Sequence, residues 1–579
     1  METTDKTSCQ ILIDVIKAHG VKNIVVSPGS RNTPLIIAIA RDKELNKTVI
    51  VDERSAAFVA LGMCAANNGA TPIALICTSG SALLNYAPAI SEAYYRNLPL
   101  IVISADRPAE WIDQDDSQTI RQFEALSNYV KKSYNIPTQC NTKNLRWYVN
   151  RIVNDALICS NSRRKGPVHI NIQFDEPLNN LATIKHGHQR IISSSKTNNI
   201  IDKVFLKENI ITKLKSKKIL IIAGFQNCEN TSWVNQNNES KYSILDEFIS
   251  KHPNAFLLTE SISNIKSNNQ CGNIDRAISY MDEKEKSSMQ PDIVITFGGA
   301  LISRLVKQYL REYNPTEHWH IGITDNTIDC FQSLTMRVET HPNIFFQQIN
   351  AITHDIDTTD IASYQRKWLK IIADAESSHN KYIANCRWSD LKAFSIILPN
   401  LSGDLHLSNG TPIRYQQLFN PNKNISNVYC NRGVSGIDGC TSTAIGHALV
   451  SQCPTTLISG DLSAQYDLNA LSINAIPANF KMIIMCNGGG GIFRFIKSTS
   501  DLPEINEYYA VNNHFPIKEI SLGYNITFFA ASNENELKKV LPTFLQSSNR
   551  PAILAIYTPA QESANILKNY FNRKRNNYE

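Results

Sequence analysis

The chain has 579 residues, 42% hydrophobic and 19% charged, with a formal net charge of +6 at pH 7. That length exceeds one core and predicts about three to four domains. The small, dispersed charge argues against a nucleic-acid role, and no apolar run reaches membrane-spanning length. The thirteen cysteines form no C-x-x-C pair, and the polar start METTDKTSCQ carries no signal-peptide pattern, so a cytoplasmic protein with reduced thiols is expected. Apolar, β-branched runs stand at 23–26, 48–51, 72–77, 100–104 and 168–172, separated by helical patterns such as 8–19 and 56–67. Continuous apolar strands alternating with helices predict a buried parallel sheet. The strand ends carry Ser27–Arg31, Asp52-Glu53-Arg54, Thr78–Ser81 and Ala105–Pro108, which should line one rim. The polar stretch 178–199 reads as a linker. Strands at 218–223, 255–258, 292–297 and 318–323 follow, in a smaller α/β domain that ends near 345. Residues 354–395 read as a charged helical connector. The last domain has strands at 428–430, 455–459, 481–486 and 552–557, and the polar tail beyond 569 is expected to fray. The division is therefore 1–180, 200–350 and 390–579.

The stretch 457–495 concentrates chemistry. Two apolar strands flank a helical segment, a βαβ pattern whose ligands bind at the carboxyl ends of the strands. Asp461 follows the first strand and Asn487 ends the second. The four glycines 488–491 let a backbone approach that a Cβ would block. One carboxylate, one amide oxygen and one glycine carbonyl suit Mg²⁺, which takes few protein oxygens and fills its shell from phosphate or water. An ordinary α/β turn with a capping aspartate is the alternative reading. No G-x-G-x-x-G and no P-loop can be written here.

Six segments in order, SPGSRNTPL (27–35), DERSAAFVALG (52–62), the run 77–108, QTIRQ (118–122), NRGVSGIDG (431–439) and GDLSAQYDLNAL (460–471), resemble the 2-succinyl-5-enolpyruvyl-6-hydroxy-3-cyclohexene-1-carboxylate synthases of menaquinone biosynthesis. These are thiamine-diphosphate-dependent enzymes. The middle third matches only loosely. The resemblance implies three α/β domains with doubly wound parallel sheets: pyrimidine-binding, central and diphosphate-binding. It implies thiamine diphosphate with Mg²⁺ or Mn²⁺, and a homo-oligomer with its active site at a subunit interface. It implies 2-oxoglutarate and isochorismate as substrates, the first losing CO₂ and the second accepting the carbanion by conjugate addition. Another thiamine-diphosphate-dependent 2-oxoacid decarboxylase or carboligase is the alternative.

By the same resemblance, Glu53 is the catalytic acid that hydrogen-bonds the aminopyrimidine ring. Ile437, Gly460, Asp461, Leu462, Ser463, Asn487, Gly489, Gly490 and Ile492 hold the cofactor. Asp461, Asn487 and Gly489 supply the metal's protein ligands. Ser30, Arg31, Arg107, Gln118, Arg304, Arg414, Arg432, Phe493 and Ile496 meet the substrates. Two dianionic substrates explain the arginines, since guanidinium forks hold carboxylates and stay charged. The chain departs from the family pattern at Ser117, Ser303, Gly410 (with Thr411 beside it) and Cys486.

Overall fold

The computed structural model describes residues 2–183, 189–195, 199–215, 217–226, 243–267, 270–353, 362–420, 422–474, 476–511 and 514–573. Its strands in chain order begin with β1 (Glu2–Thr4), β2 (Asn23–Val26), β3 (Asn46–Val49), β4 (Ile73–Cys77), β5 (Leu100–Asp106), β6 (Ser133–Ile136), β7 (Val168–Gln173) and β8 (Leu181–Thr183). Next come β9 (Ile219–Ala223), β10 (Ala255–Thr259), β11 (Gln270–Cys271), β12 (Ile293–Phe297), β13 (Glu317–Ile321) and β14 (Met336–Val338). The last group is β15 (Gly403–Leu407), β16 (Ile425–Tyr429), β17 (Thr455–Gly460), β18 (Phe480–Cys486), β19 (Thr527–Ala531) and β20 (Ala552–Tyr557).

These strands form three six-stranded sheets, ordered β3-β2-β4-β5-β7-β6, β11-β10-β9-β12-β13-β14 and β16-β15-β17-β18-β20-β19. The neighbours in all three run parallel. Counted from its own first strand, the last sheet repeats the order of the first. In both, the order reverses between the first and third strands. Crevices form at such switch points, beyond the carboxyl ends of the strands. Central strands β4, β5 and β7 are buried at every residue, because helices cover both faces.

The first and last domains share one core. The helix Glu53–Ala66 crosses the helix Cys440–Val450, and their small residues let the backbones touch. A Cβ on Gly62 would run into the Thr443 carbonyl oxygen, and one on Gly446 into that of Val59. Gly446→Ala is expected to force the helices apart and cost about 1–3 kcal/mol. Thermal unfolding checks this, and an unchanged melting temperature would contradict the close crossing.

Beside this contact, Asp467 is fully buried and accepts from Ser442 N (2.6 Å) and Ser442 Oγ (2.7 Å). Burial pushes its carboxyl up to about 7 from 3.8. An acid with a raised folded-state pKa contributes stability that is complete below about pH 4 and lost as the pH climbs through 7. Asp467→Asn should therefore gain on the parent chain between pH 5 and pH 8 by roughly 1–3 kcal/mol. Melting curves at the two pH values test this; a difference independent of pH would count against it.

Several sequence expectations need correction. The first strand pair matches at β2, but β3 lies two residues earlier than 48–51. Glu53 is therefore not at a strand end: it is the first residue of a helix whose N-cap, Asp52, accepts from Ser55 N at 3.0 Å. The stretch 178–199 is not all linker, because β8 pairs antiparallel with β1. Strands β6, β11, β14, β15 and β19 had no counterpart in the apolar runs. In β15, the buried Asp404 and His406 interrupt the pattern, and Asp404 is satisfied by His447 Nε2 at 2.9 Å. The connector holds the helix Ala362–Asn385, whose Trp368 stacks on Phe256, and the helix Asp390–Ile397, which joins the last domain's core. Its first residues, 354–361, lie outside the described residues. The tail does not fray at 569: Tyr570 and Arg573 are buried, and Arg573 donates to the carbonyls of Tyr570 (2.9 Å) and Arg276 (3.1 Å). Residues 574–579 lie outside the described set. Among the described residues no helix is long and apolar enough to cross a membrane, and the cysteines are free thiols.

Candidate active site

At the last domain's switch point, Gly460 ends β17 and its N–H donates to Ser408 Oγ at the end of β15 (3.2 Å). Asp461 opens the short helix that follows. Its Oδ2 accepts from Gly488 N (3.0 Å) and Gly489 N (2.9 Å), and its Oδ1 from Leu462 N (2.8 Å). Burial raises the Asp461 pKa against the pull of these N–H groups. Gly488, Gly489 and Gly490 all have positive φ (81°, 78° and 45°). A Cβ on Gly490 would meet Tyr509 O at 2.5 Å, so only glycine can make this turn there. Asn487 is buried, and its Nδ2 donates to Asp390 Oδ2 at 2.8 Å. Ser463 Oγ donates to Ile437 O (3.0 Å), tying the 431–439 turn to the same helix. Of the expected cofactor residues, Ile437, Gly460, Asp461, Leu462, Ser463, Asn487, Gly489 and Gly490 thus form one connected group.

A second group lies where the middle and last domains meet. Arg304 starts the helix Arg304–Glu312, Arg414 sits on the helix Pro412–Gln416, and Arg432 follows β16. Burial lowers the Arg414 pKa, and the charges of Arg432 and Arg304 lower it further, while Asp275 and Glu260 oppose them. The Nε–H groups of Arg414 and Arg432 are buried and make no hydrogen bond among the described residues. Such orphan donors are costly unless something accepts from them. A cavity of about 1260 Å³ is lined by Arg304, Arg414, Asp275, Ile492, Phe495 and Ile496, among others. Phe493 packs on Tyr509, with ring centres 5.5 Å apart, while Phe495, two residues on, lines the cavity.

Ser303 is a structural cap. It is fully buried, its Oγ bonds Asp275, and its N–H donates to Glu260 Oε1 (2.7 Å). Glu260, pushed up to about 7 by burial, also takes the Ile302 N–H. Gly410 has φ 96°, a turn conformation that suits glycine over serine. Burial raises the Cys486 thiol pKa, so it stays protonated.

The third group belongs to the first domain. Arg31 is buried, donates to Phe174 O (3.1 Å) and pairs with Glu176 (3.3 Å). Its pKa is lowered by burial and by the charge of Arg107. Arg107 pairs with Asp116 (2.8 Å) and donates to Ser117 O (2.9 Å). Gln118 has φ 59° and donates to Ser79 O (3.1 Å), and the Ser30 carbonyl accepts from Thr33 while its side chain is exposed. Asp106, buried between strands, is raised to about 6. Glu53 is half-buried, and its charge raises the pKa values of Cys77 and Tyr86 behind it. No hydrogen bond or ion pair among the described residues joins Glu53, Arg31 or Arg107 to Asp461, Arg304, Arg414 or Arg432.

Sequence reasoning also missed what holds the Arg432 turn. Glu92, in the first domain and 1% exposed, accepts from Gly433 N (2.8 Å) and Val434 N (2.7 Å). Arg96, one helical turn on, donates to Asn431 Oδ1 (3.2 Å) and stacks on Phe225 of the middle domain. All three domains meet at this point. Glu92 and Arg96 stand four apart inside the quoted run 77–108, and that spacing was the available signal.

Two family models match the chain: "Thiamine pyrophosphate enzyme, N-terminal TPP binding domain" over residues 6–125, and "Middle domain of thiamine pyrophosphate" over 249–391. The chain is 38% identical over 574 residues to the 2-succinyl-5-enolpyruvyl-6-hydroxy-3-cyclohexene-1-carboxylate synthase of Porphyromonas gingivalis, covering 98% of this chain and 97% of the relative. It belongs to that synthase family. The Flavobacterium johnsoniae synthase is 36% identical, with 97% and 98% covered, and the Bacteroides thetaiotaomicron synthase 35%, with 98% and 99% covered. Membership of the synthase family accounts for the three repeated sheets and for the thiamine pyrophosphate domain matches on the first and middle sheets.

Proposed function

We propose that this chain catalyses the synthase reaction of its family: thiamine-diphosphate-dependent decarboxylation of 2-oxoglutarate and conjugate addition of the resulting carbanion to isochorismate, within menaquinone biosynthesis. The observation that carries the reading is that Arg304 and Arg414 line a cavity, that the charges of Arg432 and Arg304 act on Arg414, and that two Nε–H donors are orphaned among the described residues. Three guanidinium groups suit several carboxylates and exceed what one monocarboxylate needs.

When bound, thiamine diphosphate supplies the carbon nucleophile and the electron sink for loss of CO₂. We assign residues 1–180 to binding its pyrimidine, 200–350 to a central domain and 390–579 to binding its diphosphate. Glu53 would hold a proton at the pyrimidine ring nitrogen. The 488–490 turn would hold the diphosphate together with Gly460, Leu462, Ser463 and Ile492, and Ile437 would pack against the cofactor. Among the described residues no group of three His, Cys, Asp or Glu could hold a metal. A Mg²⁺ or Mn²⁺ ion here would take the Asp461 carboxylate, the Asn487 amide oxygen and the Gly489 carbonyl, with phosphate and water completing the shell. Arg304, Arg414 and Arg432 hold substrate carboxylates, with Ile496 and Phe493 alongside; Arg31, Arg107, Ser30 and Gln118 hold others. We propose that two copies complete each site across an isologous interface, as membership of the synthase family implies.

The test is CO₂ release from 2-oxoglutarate with thiamine diphosphate and Mg²⁺, with and without isochorismate. Release that requires isochorismate, with isochorismate consumed in step, is the expected result. Equal release without it would make the protein a decarboxylase or a broader carboligase.

A further inference from the structure

Asp390 is 2% exposed and opens the helix Asp390–Ile397. Three elements of the last domain fix it. Its backbone N–H donates to Ser563 Oγ (3.1 Å) on the C-terminal helix, Thr558 Oγ1 beyond β20 donates to its Oδ1, and Asn487 Nδ2 donates to its Oδ2 at 2.8 Å. The side of the Asn487 amide that faces Asp390 is thus the NH₂, and the carbonyl oxygen faces away from it. The turn that follows Asn487 binds Asp461 through the N–H groups of Gly488 and Gly489. Burial raises the Asp390 pKa, and the Asp461 charge raises it further.

We infer that Asp390 is a positioning residue for the cation site: it sets the Asn487 amide so that its oxygen, rather than its nitrogen, is offered beside Asp461. The inference rests on the cofactor reading above. An asparagine free to flip would present NH₂ to a cation in part of the population, and a donor cannot ligate a hard cation. Groups that orient a ligand in this way typically change metal affinity by about 10–100-fold when removed. Asp390→Asn can still accept from Asn487 through its own amide oxygen while its NH₂ meets the Thr558 hydroxyl. It keeps the orientation and loses the charge.

The experiment measures Mn²⁺ binding in the presence of thiamine diphosphate, from the free-ion paramagnetic resonance signal, on the full-length chain. Asp390→Ala should weaken Mn²⁺ about 10–100-fold. Asp390→Asn should stay within about threefold of the parent chain, well below the loss expected for removing the orienting group. In an Asn487→Ala background, Asp390→Ala should have no further effect, because there is no amide left to orient. Should Asp390→Ala fail to fold, Thr558→Val is measured against Asn487→Ala in the same cycle and should couple in the same direction. Unchanged affinity in Asp390→Ala, equal losses in the Asn and Ala variants, or additive effects in the cycle would each overturn the inference. If the parent chain binds no Mn²⁺ with thiamine diphosphate, the cofactor reading falls and takes this inference with it. Mn²⁺ bound by the parent chain and unaffected by these variants overturns the inference alone.

Discussion

Glu53→Gln is expected to bind thiamine diphosphate within a few-fold of the parent chain and to lose about 10²–10⁴ in kcat. Glutamine is nearly isosteric but holds no ionisable proton, so it can touch a ring nitrogen without sharing a proton with it. The side chain stands at the first position of the helix Glu53–Ala66, where its neighbour Asp52 already caps the N-terminus through Ser55 N. The substitution therefore removes no capping bond and should leave the melting temperature close to that of the parent chain. Isothermal binding of the cofactor and steady-state turnover, taken together, separate the two roles. Unimpaired turnover would remove Glu53 from the chemistry.

Arg432→Ala should lower kcat/KM about tenfold to a hundredfold, the range set by roughly 1.5–3 kcal/mol for a hydrogen bond to a charged group. The position is central. Arg432 Nη1 donates to Asn409 Oδ1 at 3.0 Å, its Nε–H has no partner among the described residues, and its charge acts on Arg414, Lys307, Glu92 and Glu260. Removing one of several mutually repelling cations should not unfold the protein, so the loss should fall on substrate and not on the melting temperature. Arg432→Lys keeps the charge without the fork and should recover only part of the loss. Kinetics with each substrate varied in turn would show which one Arg432 holds. Unaltered kcat/KM for both would place the substrates away from this cavity.

The arginines grouped around Arg414 were legible one by one in the sequence, as motif positions, but their grouping was not. Arg304 and Arg432 are 128 positions apart and come together because the middle sheet docks on the last. Ser303 shows the reverse. A motif position next to the cavity-lining Arg304 is a buried cap serving Asp275 and Glu260, a role that local sequence cannot signal. Which of Phe493 and Phe495 lines the cavity depends on the face of a five-residue helix, too short a span for periodicity to decide.

What the amino-acid sequence determined by itself was local. Apolar runs long enough to be buried on both faces marked β2, β4, β5, β7, β9, β10, β12, β13, β17, β18 and β20, because a parallel strand covered by helices has no polar side to show. Glycines where a Cβ cannot fit marked the 488–490 turn, and charged or amide residues at strand ends marked the rim. Tertiary structure alone decided the rest. Short or polar strands such as β6 and β15 form because neighbours satisfy their buried polar groups, as His447 does for Asp404. The partners that orient the site, Asp390 behind Asn487 and Glu92 behind the Arg432 turn, lie 97 and 341 residues from the groups they hold. A hydrogen bond over that separation depends on how distant elements pack, within the last domain for Asp390 and between domains for Glu92, and no local pattern records it.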